Sequence, residues 1–212
     1  MSQTSQTLPN AKAPLRVGIT GGIGSGKTTV CRIFEELGIP VYYADERAKL
    51  LMTENELVVS QIKKLFGEQA YLPDHSLNRQ RVASIVFKDA AMLAKLNAIV
   101  HPAVQLDGEN WHKQQYNVPY TLKESALLFE IGSEIFFDKT IAVQAPKSVR
   151  LQRTMLRDSQ TAAQVEARMD KQMDDEKKAQ LADYVIINDN EHLLTPQVLN
   201  IHRHLVDIHK NT

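Results

Sequence analysis

The chain has 212 residues and a formal net charge of +0, from 25 basic and 25 acidic side chains. That length suits one domain with inserted subdomains, and the charge balance gives no bulk field to draw the protein to nucleic acid or to an anionic membrane. The composition, 43% hydrophobic and 24% charged, is that of a globular protein, and the single cysteine, Cys31, rules out an internal disulfide or a Cys-rich metal site.

The first 14 residues, MSQTSQTLPNAKAP, are polar and lack the apolar core of a signal peptide, so they read as a disordered leader. No run approaches the roughly 20 apolar residues of a membrane span. A cytoplasmic protein is expected, a monomer or small homo-oligomer, with neither nucleic acid nor a membrane as partner. Val17–Thr20 reads as a strand that ends at a glycine cluster. Thr28 to Leu37 reads as a helix from the spacing of Val30, Ile33, Phe34 and Leu37, stopped by Gly38 and Pro40. Residues 41–43 (VYY) form a second strand leading into Ala44 and Asp45. From Glu46 to about Trp111 the pattern is helical, with turn signals at PDHS (73–76) and at His101-Pro102.

Two more strands are expected over residues 120–130 (YTLKESALLFE) and 139–146 (KTIAVQAP), the second ended by Pro146. A charged helical block follows over residues 147–180, then a strand at 184–188 (YVIIN) and an amphipathic helix from about Leu194. Strands alternating with helices predict an α/β fold: a five-stranded parallel sheet covered on both faces, with two helical blocks standing off it. Ligands of such sheets bind at the carboxyl ends of the strands. That rule selects Gly21–Thr28, Ala44-Asp45, Phe129-Glu130 and Ala145-Pro146.

Gly21-Gly22-Ile23-Gly24-Ser25-Gly26-Lys27-Thr28 matches G-x-x-x-x-G-K-[ST] between a strand and a helix. Glycines let successive backbone N–H groups turn inward onto phosphate oxygens, and the following helix adds its positive end. Candidate phosphate contacts are therefore Gly22, Ile23, Gly24, Ser25, Gly26, Lys27, Thr28 and Thr29. Lys27 reaches toward the β- and γ-phosphates, and the Thr28 hydroxyl is the candidate Mg²⁺ ligand, so ATP and Mg²⁺ are the expected co-substrate and ion.

Several protein classes share this loop. A GTPase would carry an N-K-x-D tetrad, which is absent, and a motor ATPase would end an apolar strand in Asp-Glu, where ALLFE offers only Glu130. A small-molecule kinase needs a carboxylate for the acceptor hydroxyl, an acceptor lobe and an arginine-bearing lid. Asp45 either orients and deprotonates that hydroxyl or caps the helix that follows it. Arg150, Arg153 and Arg157 share one helical face, either as a clamp on transferring phosphate or as a solvated face paired with Asp158 and Glu166.

The segments VGITGGIGSGKTTVCRIFEELGIPVYYADERA, LNAIVHPAV, ALLFE, RLQRTMLRD and ADYVIIND occur in order, and together they resemble the dephospho-coenzyme A kinases from about Leu15 to Asn190. The resemblance implies transfer of the γ-phosphoryl group of ATP to the ribose 3′-hydroxyl of dephospho-CoA, the last step of coenzyme A synthesis. It implies a P-loop core (residues 15–46, 118–146 and 182–212), a helical acceptor domain (47–117) and a lid (147–181). By the same resemblance Lys27, Asp45, Arg153 and Arg157 are the catalytic candidates, and Asp45, His101 and Glu130 the acceptor-side ones. Alternatively, Glu130 holds water around Mg²⁺ or simply ends a strand. The family commonly has an aspartate where this chain has Tyr43.

Overall fold

The computed structural model describes residues 12–212; the leader expected at the N-terminus lies outside the described residues up to position 11. Its core is a five-stranded parallel sheet in the order β2-β3-β1-β4-β5. The strands are β1 (Leu15–Thr20), β2 (Val41–Tyr43), β3 (Tyr120–Glu124), β4 (Lys139–Gln144) and β5 (Tyr184–Ile187). Parallel registers pair β1 with β3 and β4, and β4 with β5. The central strands read as continuous apolar runs because both faces are covered: Val17, Ile19, Leu122, Ile141 and Val143 are all essentially buried.

The described residues form two compact units, one running to Val41 and resuming at His112, the other spanning Tyr42–Trp111. In the first, α1 (Lys27–Glu36) buries Val30, Cys31 and Phe34, and α9 (Leu194–Asn211) buries Val198, Ile201 and Leu205, each set at helical spacing. Removing a side chain such as Phe34 from water is worth about 2–3 kcal/mol. Phe34 meets Tyr120 edge-on at 6.3 Å, and the Tyr120 hydroxyl lies 2.8 Å from His202 Nδ1.

The charged block expected over 147–180 divides into α6 (Lys147–Asp158), α7 (Ala162–Met169) and α8 (Asp175–Leu181). Ser159 takes a left-handed conformation at the end of α6, and Thr161 and Gln164 form a reciprocal capping box that restarts the chain as α7. The strand expected over 120–130 is shorter. It ends at Glu124, and ALLF is a turn in which Leu128 is fully buried against Gly18. An unalternating apolar run does not distinguish a buried strand from a buried turn.

The second unit comprises α2 (Ala44–Glu54), α3 (Glu56–Phe66), α4 (Arg79–Val86) and most of α5 (Ala90–Lys113). The turn expected at His101-Pro102 does not form: both residues lie within α5. Proline removes one backbone hydrogen bond at a typical cost of about 3 kcal/mol. Burial of Val100 and Val104 against Tyr42, Ala44 and Leu51 offsets that cost, and the Tyr42 hydroxyl lies 3.2 Å from Val104 O. Asp107 then ties α5 to α2, accepting from Tyr42 (2.7 Å) and from both Nε and Nη2 of Arg47 (2.8 Å each). Asp107→Ala is expected to destabilise the protein by about 1–3 kcal/mol, through loss of charge-assisted hydrogen bonds, as read by denaturant unfolding.

Burial holds His101, His112 and His202 below the ordinary imidazole value, so each favours the neutral form when folded. Their depressed values mean that the unfolded chain takes up protons first. The stability they contribute is present above about pH 6.5 and is lost as pH falls below it. The melting temperature is expected to drop between pH 7 and pH 5, before carboxylates titrate, and His202→Gln should flatten that slope.

Candidate active site

Strand β1 delivers the chain to the loop, and its last residues set the loop's stem. Gly26 is the N-cap of α1, in a left-handed conformation (φ 89°), and a Cβ there would stand 2.1 Å from Asn188 Nδ2. That amide donates to Ser25 O at 2.7 Å, so the end of β5 closes over the loop, and only glycine leaves it room. Ser25 N donates to Gly22 O at 3.1 Å, folding the loop back on itself. The N–H groups of Gly24 and Gly26 have no acceptor among the described residues and remain for an anion. Among the described residues the buried hydroxyls of Thr20 and Ser25 have no hydrogen-bond partner, as lining for a polar occupant.

Lys27 folds back so that Nζ donates to Gly21 O at 2.8 Å and lies 3.8 Å from Glu124 Oε1, both side chains nearly buried. Glu124, the last residue of β3, is therefore the acidic group at a strand end beside the loop lysine. Glu130 does not end a strand: it sits in the following turn, accepts from Met173 N at 3.0 Å and pairs with Lys178 at 2.7 Å. The nearly buried Lys178 also donates to Ala126 O, so Glu130 anchors the α7–α8 segment.

The arginine face of α6 divides by position. Arg153 donates to Asn188 O (3.1 Å) and Oδ1 (3.2 Å), beside Gly26. Arg150 reaches the start of the loop: a Cβ on Gly22 would lie 2.2 Å from its Nη1. Arg157 is 61% exposed and forks onto Asp158, which also binds Arg168; the two guanidiniums hold that carboxyl well below its usual range. The structure thus brings Arg150 and Arg153 to the loop and leaves Arg157 on the surface.

A cavity of about 370 Å³ opens at the carboxyl ends of β4 and β5, lined by Ala145, Pro146, Arg150, Ile187 and Asp189 among others. Thr28 and Thr29 project from the exposed first turn of α1. Among the described residues no group of three His, Cys, Asp or Glu forms a metal site. A cation here would rely on phosphate oxygens, water and the Thr28 hydroxyl, a donor set that suits Mg²⁺ because it dehydrates reluctantly. Burial pushes the Cys31 thiol up, so it is inert packing.

Asp45 and His101 belong to the second unit. Asp45 lies in the first turn of α2 and is exposed; the N-cap is Tyr43, which supplies no side-chain cap. The capping alternative for Asp45 is therefore not what the structure shows. His101 is half-buried within α5.

Sequence reasoning missed Glu124, Asn188, Gln172 and Asp175. The polar end of YTLKE and the terminal asparagine of YVIIN were signals for the first two; no local pattern marks the others.

A parallel sheet whose first strand feeds a glycine loop and Lys27, with an arginine-bearing helix packed on that loop, is the architecture of a P-loop kinase. The chain belongs to the dephospho-CoA kinase family, whose model matches residues 15–193. It is 43% identical to the dephospho-CoA kinase of Salinibacter ruber, over 82% of this chain and 88% of that one. Identity to the Chlorobaculum tepidum dephospho-CoA kinase is 40%, over 84% and 88%. Among solved structures, a Thermus thermophilus protein superposes with a TM-score of 0.81 at 33% identity, covering 91% of this chain and 98% of that one. The dephospho-CoA kinase of Campylobacter jejuni gives 0.67 at 26%, covering 93% and 98%.

Proposed function

We propose that the protein phosphorylates the ribose 3′-hydroxyl of dephospho-CoA with ATP, giving coenzyme A and ADP, and does so as a soluble cytoplasmic enzyme. Membership of the dephospho-CoA kinase family over residues 15–193 carries this reading. No described helix is long and apolar enough to cross a membrane. The ATP phosphates lie along the loop from Gly24 to Thr29, on backbone N–H groups running into the start of α1; the N–H groups of Gly22 and Ile23, candidates by sequence, are taken by Asp175 and Gln172. The nucleoside takes the cavity lined by Pro146, Arg150, Ile187 and Asp189. The Thr28 hydroxyl would help hold a bound Mg²⁺, which would supply neutralisation of the charge that develops on the phosphates.

Asp45 accepts the proton of the 3′-hydroxyl as that oxygen attacks the γ-phosphorus. The bond to the β–γ bridging oxygen breaks, and its electron pair leaves with ADP. Lys27 and Arg153 stabilise charge on the transferring group, Arg157 joins them if the lid closes further, and His101 contacts the acceptor. Glu130 acts at a distance, by anchoring the lid through Lys178.

A coupled ADP-release assay with an acceptor panel tests the assignment. Dephospho-CoA should drive turnover that AMP, CMP and adenosine do not. Equal turnover with AMP or CMP would make the protein a nucleoside-monophosphate kinase instead.

A further inference from the structure

Two N–H groups at the start of the phosphate loop already donate to side chains, and both acceptors come from one short segment. Gly22 N donates to Asp175 Oδ1 at 3.0 Å and Ile23 N to Gln172 Oε1 at 2.9 Å, across about 150 residues of sequence. Gln172 lies in the linker between α7 and α8, and Asp175 is the first residue of α8. Asp175 is only 6% exposed, and its second oxygen stands 3.2 Å from Arg150 Nε, as a charge contact without hydrogen-bond geometry. The linker is held from its other side by Glu130, through Met173 N and Lys178.

We infer that Asp175 and Gln172 are positioning residues for the phosphate loop. From the lid side they fix the peptide planes of Gly22 and Ile23, so that the remaining loop N–H groups stay aimed at the triphosphate. This rests on reading the loop as the ATP site. A glycine-rich loop has many accessible backbone conformations, and each must be given up when a phosphate binds. Acceptors built into the fold remove that freedom beforehand and so strengthen donor binding.

Stability alone does not account for the carboxylate. A buried ion pair such as Asp175–Arg150 is commonly replaced by apolar side chains of similar size without loss of stability. What an apolar pair cannot replace is the acceptor for Gly22 N–H. The tie also joins the loop to the lid, so lid position and donor affinity are coupled.

Two double variants isolate the acceptor, since both lack the ion pair. Arg150→Met with Asp175→Asn retains an oxygen for Gly22 N–H; Arg150→Met with Asp175→Leu does not. By calorimetric titration with MgATP, the Leu form is expected to bind about tenfold more weakly than the Asn form. The KM for ATP should move with it while the KM for dephospho-CoA stays within about twofold, a split that a general loss of stability would not give; the Leu form should also melt somewhat lower, because its buried Gly22 N–H is left without that acceptor. Gln172→Met against Gln172→Glu repeats the comparison at Ile23, should either double variant fail to fold. Equal MgATP affinity within the pairs overturns the inference while leaving the ATP site intact. Failure of the wild-type protein to bind MgATP would overturn the functional reading, and the inference with it.

Discussion

Asp45→Asn is expected to lower turnover with dephospho-CoA by a factor of about 10² or more, the usual contribution of a positioned general base, while affinity for ATP stays within about twofold. Asparagine matches the carboxylate in shape and can still accept a hydrogen bond from the acceptor hydroxyl, but it cannot take the proton. The structure sharpens this test. Asp45 is exposed, the N-cap of its helix is Tyr43, and among the described residues its side chain makes no hydrogen bond or ion pair. A fall in rate would therefore report chemistry and not a weakened helix. An aspartate in the first turn gains only about 0.3–1 kcal/mol from the helix dipole, so the melting temperature should barely change. Near-normal single-turnover rates in the Asn variant would remove Asp45 from the mechanism.

Lys27→Met is expected to reduce turnover by about 10²–10³, the range found when one preorganised donor to a developing charge is removed. Lys27 donates to Gly21 O and lies beside Glu124, nearly buried. A triphosphate offers it a stronger partner than a carbonyl, so its ammonium can move to the phosphates while Glu124 still balances its charge. Methionine keeps the length and apolar stem of lysine and removes only the cation. Unlike Asp45→Asn, this variant should also weaken ATP binding, because Lys27 contacts ground-state phosphates. It also removes the ammonium 3.8 Å from the nearly buried Glu124 carboxylate, so some loss of thermal stability is expected. Binding titration and steady-state kinetics on the same preparation separate the two contributions.

Much of the architecture was legible in the chain because the relevant signals are local. The glycine spacing of residues 21–28, the helical period through Phe34 and the short apolar strands each report on neighbours a few residues apart. The errors arose where local pattern and tertiary packing disagree. ALLF is apolar enough for a strand, yet Leu128 packs onto the bare backbone of Gly18 and the strand stops at Glu124. That shift of six positions moves Glu130 from the strand end to the anchoring of Lys178. Pro102 reads as a helix stop, but the apolar residues on either side gain more from burial within α5 than the missing hydrogen bond costs.

The amino-acid sequence by itself determined that a phosphate-loop motif stands at the end of the first strand of a parallel sheet, and that an aspartate and a row of arginines follow. These are properties of residue type and spacing, and a motif carries them whole. Only the tertiary structure decided which groups meet. It set Glu124 beside Lys27, brought Arg150 and Arg153 to the loop while Arg157 forks onto Asp158 at the surface, and seated Asp175 on Gly22 N–H. Each of these contacts depends on where distant segments pack. The chain between two such partners costs little to close, and burial of apolar surface elsewhere drives the closure, so no pattern within either segment marks the pair.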